Sequence, residues 1–250
     1  MVAPAVIWGG VWAVGHIGAR LAARQLAKRI MQAAARRATS AAAMEAYRAA
    51  VTAGTLAPED YIDLDSEYSD ANGRADALAR EMAAACAADP NKCEACEANR
   101  GTAVVRNWNM SARASSYQQF ITGFPRNVEW NYNGVDFDGF WQPMCTLVEA
   151  KDNYQRFLDV VTDDGGWFSD PSIERASWKE WFSGKEALVS EGRRQVAAAR
   201  PSPPVELQWH CSQITVTMAL AETFRVEQVA IVPQYTPHPT MTDPFSDFIR

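Results

Sequence analysis

The chain opens on an almost continuous apolar run over residues 2–19, where Val6, Ile7, Trp8, Val11, Trp12, Val14 and Ile17 are interrupted by Gly9, Gly10, Gly15, Gly18 and His16. That length is near the minimum for a membrane span. A secretory signal would carry positive charge before the run and a small-residue cleavage site after it, whereas here basic residues follow, so it does not read as one. Two readings stand: a buried helical hairpin or oligomer contact, and a membrane-active or chaperone-sheltered segment. Residues 20–53, rich in Ala, Arg, Leu and Met and free of Pro, predict one or two helices, and residues 76–88 predict another. Gly54, Pro58 and an acidic stretch separate them, and residues 89–100 predict a linker.

Beyond Arg106 the pattern changes to short runs of aromatic and β-branched residues. A helix is predicted over residues 113–121, ending at Gly123, with Pro125 barring continuation. Residues 128–132 and 135–140 are strand-like and joined by Asn133-Gly134, the signature of a type I′ hairpin. A third strand is predicted over 145–151, a helix over 178–200 ended by Pro201, Pro203 and Pro204, a strand over 205–211, a helix over 213–224 and a last strand over 226–232. This order predicts an α/β (α+β) domain over residues 101–250, a mixed sheet flanked by helices, preceded by a mainly helical N-terminal region over residues 1–100.

The formal net charge of -6 argues against a general nucleic-acid coat protein, whose contact face needs Lys and Arg. It leaves a nuclease open, because divalent cations can supply the charge that phosphate requires. Arg20, Arg24, Lys28, Arg29, Arg36, Arg37 and Arg48 are followed by Glu59, Asp60, Asp63, Asp65, Glu67 and Asp70, a sign reversal typical of a solvated or partner-facing extension. Cys86, Cys93, Cys96, Cys145 and Cys211 are an odd count without a regular framework, which fits a reduced compartment better than a disulfide-stapled scaffold. Cys93 and Cys96 form a lone CxxC with no His or second pair at zinc spacing, so a local disulfide or free thiols are expected ahead of a structural zinc.

The chemistry gathers on the hairpin and the strand after it. Side chains alternate along a strand, so Glu149 and Lys151 share one face while Ala150 points away. The hairpin brings Asp138 alongside, with Asp136 on the same face as a neighbouring acid. One carboxylate from each strand, plus the Ala150 carbonyl, suits a hard cation that activates water against a phosphodiester. Lys151 would orient or help deprotonate that water and offset developing charge. The plainer alternative is an exposed edge strand whose Glu149 and Lys151 are merely solvated or paired. His16, His210 and His238 lack partners that would make a nucleophile pair.

Tyr117, Gln118, Ile121, Thr122 and Gly123, then Phe137, Asp138, Gly139 and Phe140, then Leu147, Val148, Glu149, Ala150 and Lys151 together resemble the restriction-endonuclease-fold toxins of bacterial polymorphic toxin systems, in their fifth group, within the PD-(D/E)xK nuclease superfamily. The resemblance spans residues 117–232. It implies a restriction-endonuclease-like fold and matches Asp138, Glu149 and Lys151 to the core acid, second acid and lysine. Relatives often add an acid from the preceding helix; Gln118 stands in that place here, with Glu129 as a weaker substitute. Gln195 would contact the lysine or the substrate, the alternative being a solvated helix residue. Further implications are Mg2+ or Mn2+ held by Asp138, Glu149 and Ala150, a DNA substrate, and an antibacterial type VI secretion effector. Such a toxin is held in the producer's cytoplasm by a cognate immunity protein and a secretion chaperone or PAAR-type spike-tip protein, then delivered into the target's cytoplasm. Residues 1–100 would be the trafficking region. The rival is a membrane-disrupting toxin or membrane-anchored module acting through residues 2–19, and an RNase on the same fold is also open.

Overall fold

The computed structural model describes residues 45–55, 96–163, 172–238, 240–241 and 243–245. The apolar segment 2–19, the expected helices over 20–44 and 76–88, and Cys93 lie outside the described residues. Among the described residues no helix is long and apolar enough to cross a membrane.

Among the described residues nine strands and three helices build the domain, and a fourth helical stretch, over 45–52, packs against it. Strand β1 (Thr102–Val105) pairs antiparallel with β2 (Val128–Tyr132), and β2 with β3 (Val135–Phe137). The β2–β3 turn is the expected type I′ pair, with φ +51° at Asn133 and +76° at Gly134, which Asn and Gly adopt at least cost. Between β1 and β2 lies α1 (Ala112–Thr122), capped by the Ser111 side chain, which accepts the Ala114 N–H at 3.2 Å. Gly123, at φ +75°, ends it in the left-handed conformation that the sequence led us to expect.

The central sheet has the order β4-β5-β8-β9, from Gly139–Trp141, Thr146–Lys151, Glu206–Cys211 and Gln234–Tyr235. The β4/β5 pair is antiparallel, whereas β5/β8 and β8/β9 are parallel. A parallel neighbour demands a long crossover. It is supplied by the hairpin of β6 (Leu158–Asp163) and β7 (Ser172–Trp178) and by α2 (Gly184–Ala198). Helix α3 (Ile214–Val226) then returns the chain. Tyr117 and Ile121 of α1 pack with Val148 and Trp141 on one side of the sheet. Leu188 and Val189 of α2 and Val216, Leu220 and Phe224 of α3 pack with Trp209 and Cys211 on the other. Each buried side chain of this size stabilises the fold by roughly 1.5–3 kcal/mol.

Several expectations need correction. Residues 178–183 are not helical: Trp178 ends β7, and the helix starts only at Gly184. Residues 226–232 are not a strand. Val229 and Ile231 are buried while Ala230 and Val232 are exposed, so the alternation is real, but it seats side chains against α2 and α3 without joining a ladder. The strand comes later, at β9. Strand β1 and the β6–β7 hairpin have no counterpart in the sequence reading.

Residues 96–100, expected in a linker, are built into the core. Cys96 and Ala98 lie buried among Phe124, Trp130 and Phe140, and Tyr47 and Ala50 of the helical stretch 45–52 join them. Cys96 is bonded to Cys145, 49 positions away. The expectation of reduced thiols therefore fails for this pair, which no spacing rule foretells because chain folding alone brings it together. Free Cys211 is buried in β8. Loss of the bond, as in a Cys96→Ala, Cys145→Ala double variant, is expected to lower the unfolding free energy by about 2–4 kcal/mol, because a loop of this length is otherwise open in the unfolded chain. Denaturant unfolding of the oxidised wild type beside the variant measures it.

Candidate active site

Asp138 stands at the bend between β3 and β4, where the expected single strand over 135–140 breaks and crosses from one sheet to the other. The residue after it explains the bend. A Cβ on Gly139 would lie 2.5 Å from the Cβ of Thr122, so only glycine lets β4 pass this close to α1. Thr122 cannot swing aside, since its hydroxyl donates to the Gln118 carbonyl at 2.8 Å and accepts the Phe124 N–H at 3.0 Å. That close approach places Gln118, one turn earlier on α1, against Asp138. Gly139→Ala is therefore expected to destabilise the fold by about 1–3 kcal/mol through overpacking and to lower activity by displacing Asp138, with unfolding and turnover read on the same sample.

Asp138 is held from two sides. Gln118 Nε2 donates to Oδ1 at 3.0 Å, and the Ala150 N–H of β5 donates to Oδ2 at 2.8 Å. Gly139 pairs with Val148, which brings Asp138 level with the end of β5. On β5, Glu149 is 4% exposed and lies on the α2 side of the sheet with Lys151. Lys151 Nζ donates to Glu149 Oε1 at 2.6 Å and to Glu191 Oε2 at 2.9 Å. Gln195 Nε2 donates to Glu149 Oε2 at 2.6 Å, and Trp209 Nε1 donates to Gln195 Oε1 at 2.7 Å. The Lys151 ammonium also sits 4.8 Å from the Trp209 ring centroid. Glu149, Lys151, Glu191, Gln195 and Trp209 are thus joined by one run of side-chain hydrogen bonds, which is what holds such groups in place under the sheet.

The structure thus brings together Asp138, Glu149, Lys151, Gln118 and Gln195, with Ala150 between the two acids. Gln195, 1% exposed, is no solvated helix residue. Asp136 lines the same cleft as the neighbouring acid expected of it, its carboxylate taken up by Arg106 at 2.7 and 2.9 Å and by Asn131 at 2.6 Å. Sequence reasoning missed Glu191 and Trp209. Glu191 was within reach, since it stands four positions before Gln195 and so shares its helix face. Asp152, next to Lys151, is locked by Arg113 at 2.8 and 3.1 Å and by the Ser212 hydroxyl, fixing the end of β5.

Burial pushes Asp138 up to about 7, against the pull of the Lys151 charge and the Ala150 N–H. Burial also raises Glu149 well above the usual carboxylate range, and repulsion from Asp138 adds to it. Burial alone would lower the Lys151 ammonium, but Glu149 and Glu191 outweigh it and hold the group well above its ordinary value. Two adjacent carboxylates strained toward protonation form a donor set that a hard cation would relieve. Among the described residues no group of three or more His, Cys, Asp or Glu closes on one point. These residues line an open cleft of about 570 Å³ together with Trp108, Met110, Glu129, Tyr154 and Arg194.

A mixed sheet with an acid at a strand junction, Glu-x-Lys on its neighbour and helices on both faces defines a restriction-endonuclease-like domain. Residues 114–214 match the family described as restriction endonuclease fold toxin 5. The matched segment runs from within α1 to the first residue of α3 and contains all five candidate side chains. A search of curated proteins found no match.

Proposed function

We propose that this protein is an antibacterial toxin that hydrolyses DNA phosphodiester bonds with Mg2+. The observation that carries the reading is the convergence of Asp138, Glu149 and Lys151 on one cleft, with the Ala150 N–H tying Asp138 to the strand that bears the other two. Asp138, Glu149 and the Ala150 carbonyl would hold the cation. Bound there, Mg2+ would supply a polarised water and offset charge on the phosphate oxygens. Lys151, cationic and aimed by Glu149 and Glu191, orients the attacking water and donates to the non-bridging oxygens as their charge grows. Gln195 and Trp209 keep Glu149 in a single rotamer, and Gln118 does the same for Asp138. Water adds to phosphorus and releases a proton to solvent, the P–O bond to the leaving oxygen breaks, and that oxygen takes its proton from solvent.

A nuclease lethal to its maker requires an inhibitor, so a cognate immunity protein covering this cleft belongs to the reading. So does delivery into the cytoplasm of a competing bacterium by the type VI machinery, with residues 1–100 engaging a chaperone or spike-tip protein. Transient membrane contact through residues 2–19 belongs to that delivery step.

Plasmid DNA incubated with the full chain and Mg2+, beside an EDTA control and a parallel RNA lane, tests the reading. Fragmentation that EDTA abolishes supports it. DNA left intact by folded, inhibitor-free protein sinks it, and degradation of RNA alone moves the substrate to RNA.

A further inference from the structure

Trp108 is 53% exposed and lines the cleft, and its side chain is held from beneath. Its indole N–H donates to Glu129 Oε1 at 2.5 Å, and Glu129 is buried on β2. The segment around it is anchored at its start, where Arg106 makes a two-pronged bond to Asp136 and its N–H donates to the Asn127 carbonyl at 2.8 Å; further on, Met110 N–H closes a local turn onto the Trp108 carbonyl at 2.9 Å, and Arg126 Nη2 donates to the Met110 carbonyl at 3.5 Å. Among the described residues no ring or cation is stacked on the indole. A large aromatic face presented to solvent, with its one polar atom already satisfied from beneath, is suited to one kind of contact, a flat apolar partner. Neither Trp108 nor Glu129 is hydrogen-bonded to Asp138, Glu149 or Lys151, although the Glu129 carboxylate is near enough to repel both acids.

Resting on the nuclease reading, we propose that Trp108, pinned by Glu129, is a stacking platform for a nucleobase beside the scissile phosphate, so that the cleft takes an unpaired nucleotide of a single-stranded or locally opened DNA strand. In a sealed duplex the faces of a base are covered by its neighbours, and only edges are offered in the grooves. A stacking face is useful only to a base that has left the helix. The cleft volume, about 570 Å³, accommodates a whole nucleotide unit and not only a phosphate group. Arg194, exposed on α2, sets a second cation at the same cleft for the backbone that continues past the site.

The test is a titration of full-length protein, in Mg2+ and on a Lys151→Ala background that blocks turnover, with a DNA oligonucleotide carrying 2-aminopurine, single-stranded or annealed to its complement. Stacking quenches the probe. Single strand is expected to bind at least several-fold tighter than duplex. Trp108→Leu is expected to weaken single-strand binding about 5- to 150-fold, the range for losing one base–aromatic stack. Trp108→Phe keeps a flat ring and should stay within about fivefold, which separates loss of stacking from loss of fold. Trp181→Ala, which removes a still more exposed indole outside the cleft, should change nothing. Unchanged binding in Trp108→Leu, or an equal loss in Trp181→Ala, overturns the proposal. Binding is read without cleavage: wild type that fragments no DNA defeats the nuclease reading and leaves this titration to judge the platform. Cleavage that persists with Trp108→Leu unaffected defeats the platform alone.

Discussion

Glu149→Ala and Lys151→Ala are each expected to lower plasmid cleavage by about a hundred- to a thousandfold, the scale of losing one preorganised charge at a developing transition state. The double variant should fall little further. Glu149 Oε1, the Lys151 ammonium and Glu191 Oε2 form one continuous chain at 2.6 and 2.9 Å, so either deletion disables the other partner. Glu191→Gln behaves differently. It keeps an acceptor for Lys151 but removes a charge, and should cost about tenfold, at the low end of what is lost with a partner that orients a site residue. Initial rates on supercoiled DNA, with circular dichroism to establish that each variant is folded, decide the matter. Folded Lys151→Ala retaining more than a third of the rate would end the assignment of this cluster, and a double variant a further hundredfold down would show two independent groups.

The parts of this fold legible in the sequence are those governed by local rules. Asn133-Gly134 fixes a hairpin because both positions need positive φ, and Gly123 ends α1 because a helix end is readily closed by a left-handed residue. Glu149 and Lys151 were certain to share a face for any strand over those residues. What failed depends on distant partners. Residues 178–183 continue an apolar spacing into the helix after them, but Trp178 is claimed by β6 through its pairing with Leu158. Val229 and Ile231 alternate like a strand because both reach a core already built by α2 and α3. Cys96 and Cys145 carry no spacing signal at all. The same division holds at the site: Asp138, Glu149 and Lys151 could be found by motif, whereas Trp209 becomes part of it only through the parallel register that sets it beside Glu149.

In metal-free protein at pH 8, Asp138→Asn is expected to raise stability, by on the order of 1–2 kcal/mol or a few degrees in Tm, while abolishing cleavage. Burial holds the Asp138 carboxyl at about 7, and an unfolded aspartate titrates near 3.9. With the folded value raised, the group's favourable contribution is complete below about pH 4 and is lost as pH rises toward 7, where the native state must carry a charge it disfavours. Asparagine is neutral throughout, so the advantage of the variant should grow from pH 4 to 7 and level off above. Its carbonyl oxygen can still accept the Ala150 N–H. A divalent cation opposes the same penalty. Mg2+ should therefore raise the wild-type Tm more at pH 8 than at pH 5, where protons compete for the carboxylates, and should leave Asp138→Asn almost unmoved. By the same competition, cleavage should decline below pH 7, and the midpoint of that decline should move to lower pH as Mg2+ is increased. Thermal melts of both proteins at pH 5 and 8, with and without Mg2+, measure all of this. A variant less stable than wild type at pH 8, or a Mg2+ shift independent of pH, would mean that the strain at Asp138 is not what readies the cleft for its cation.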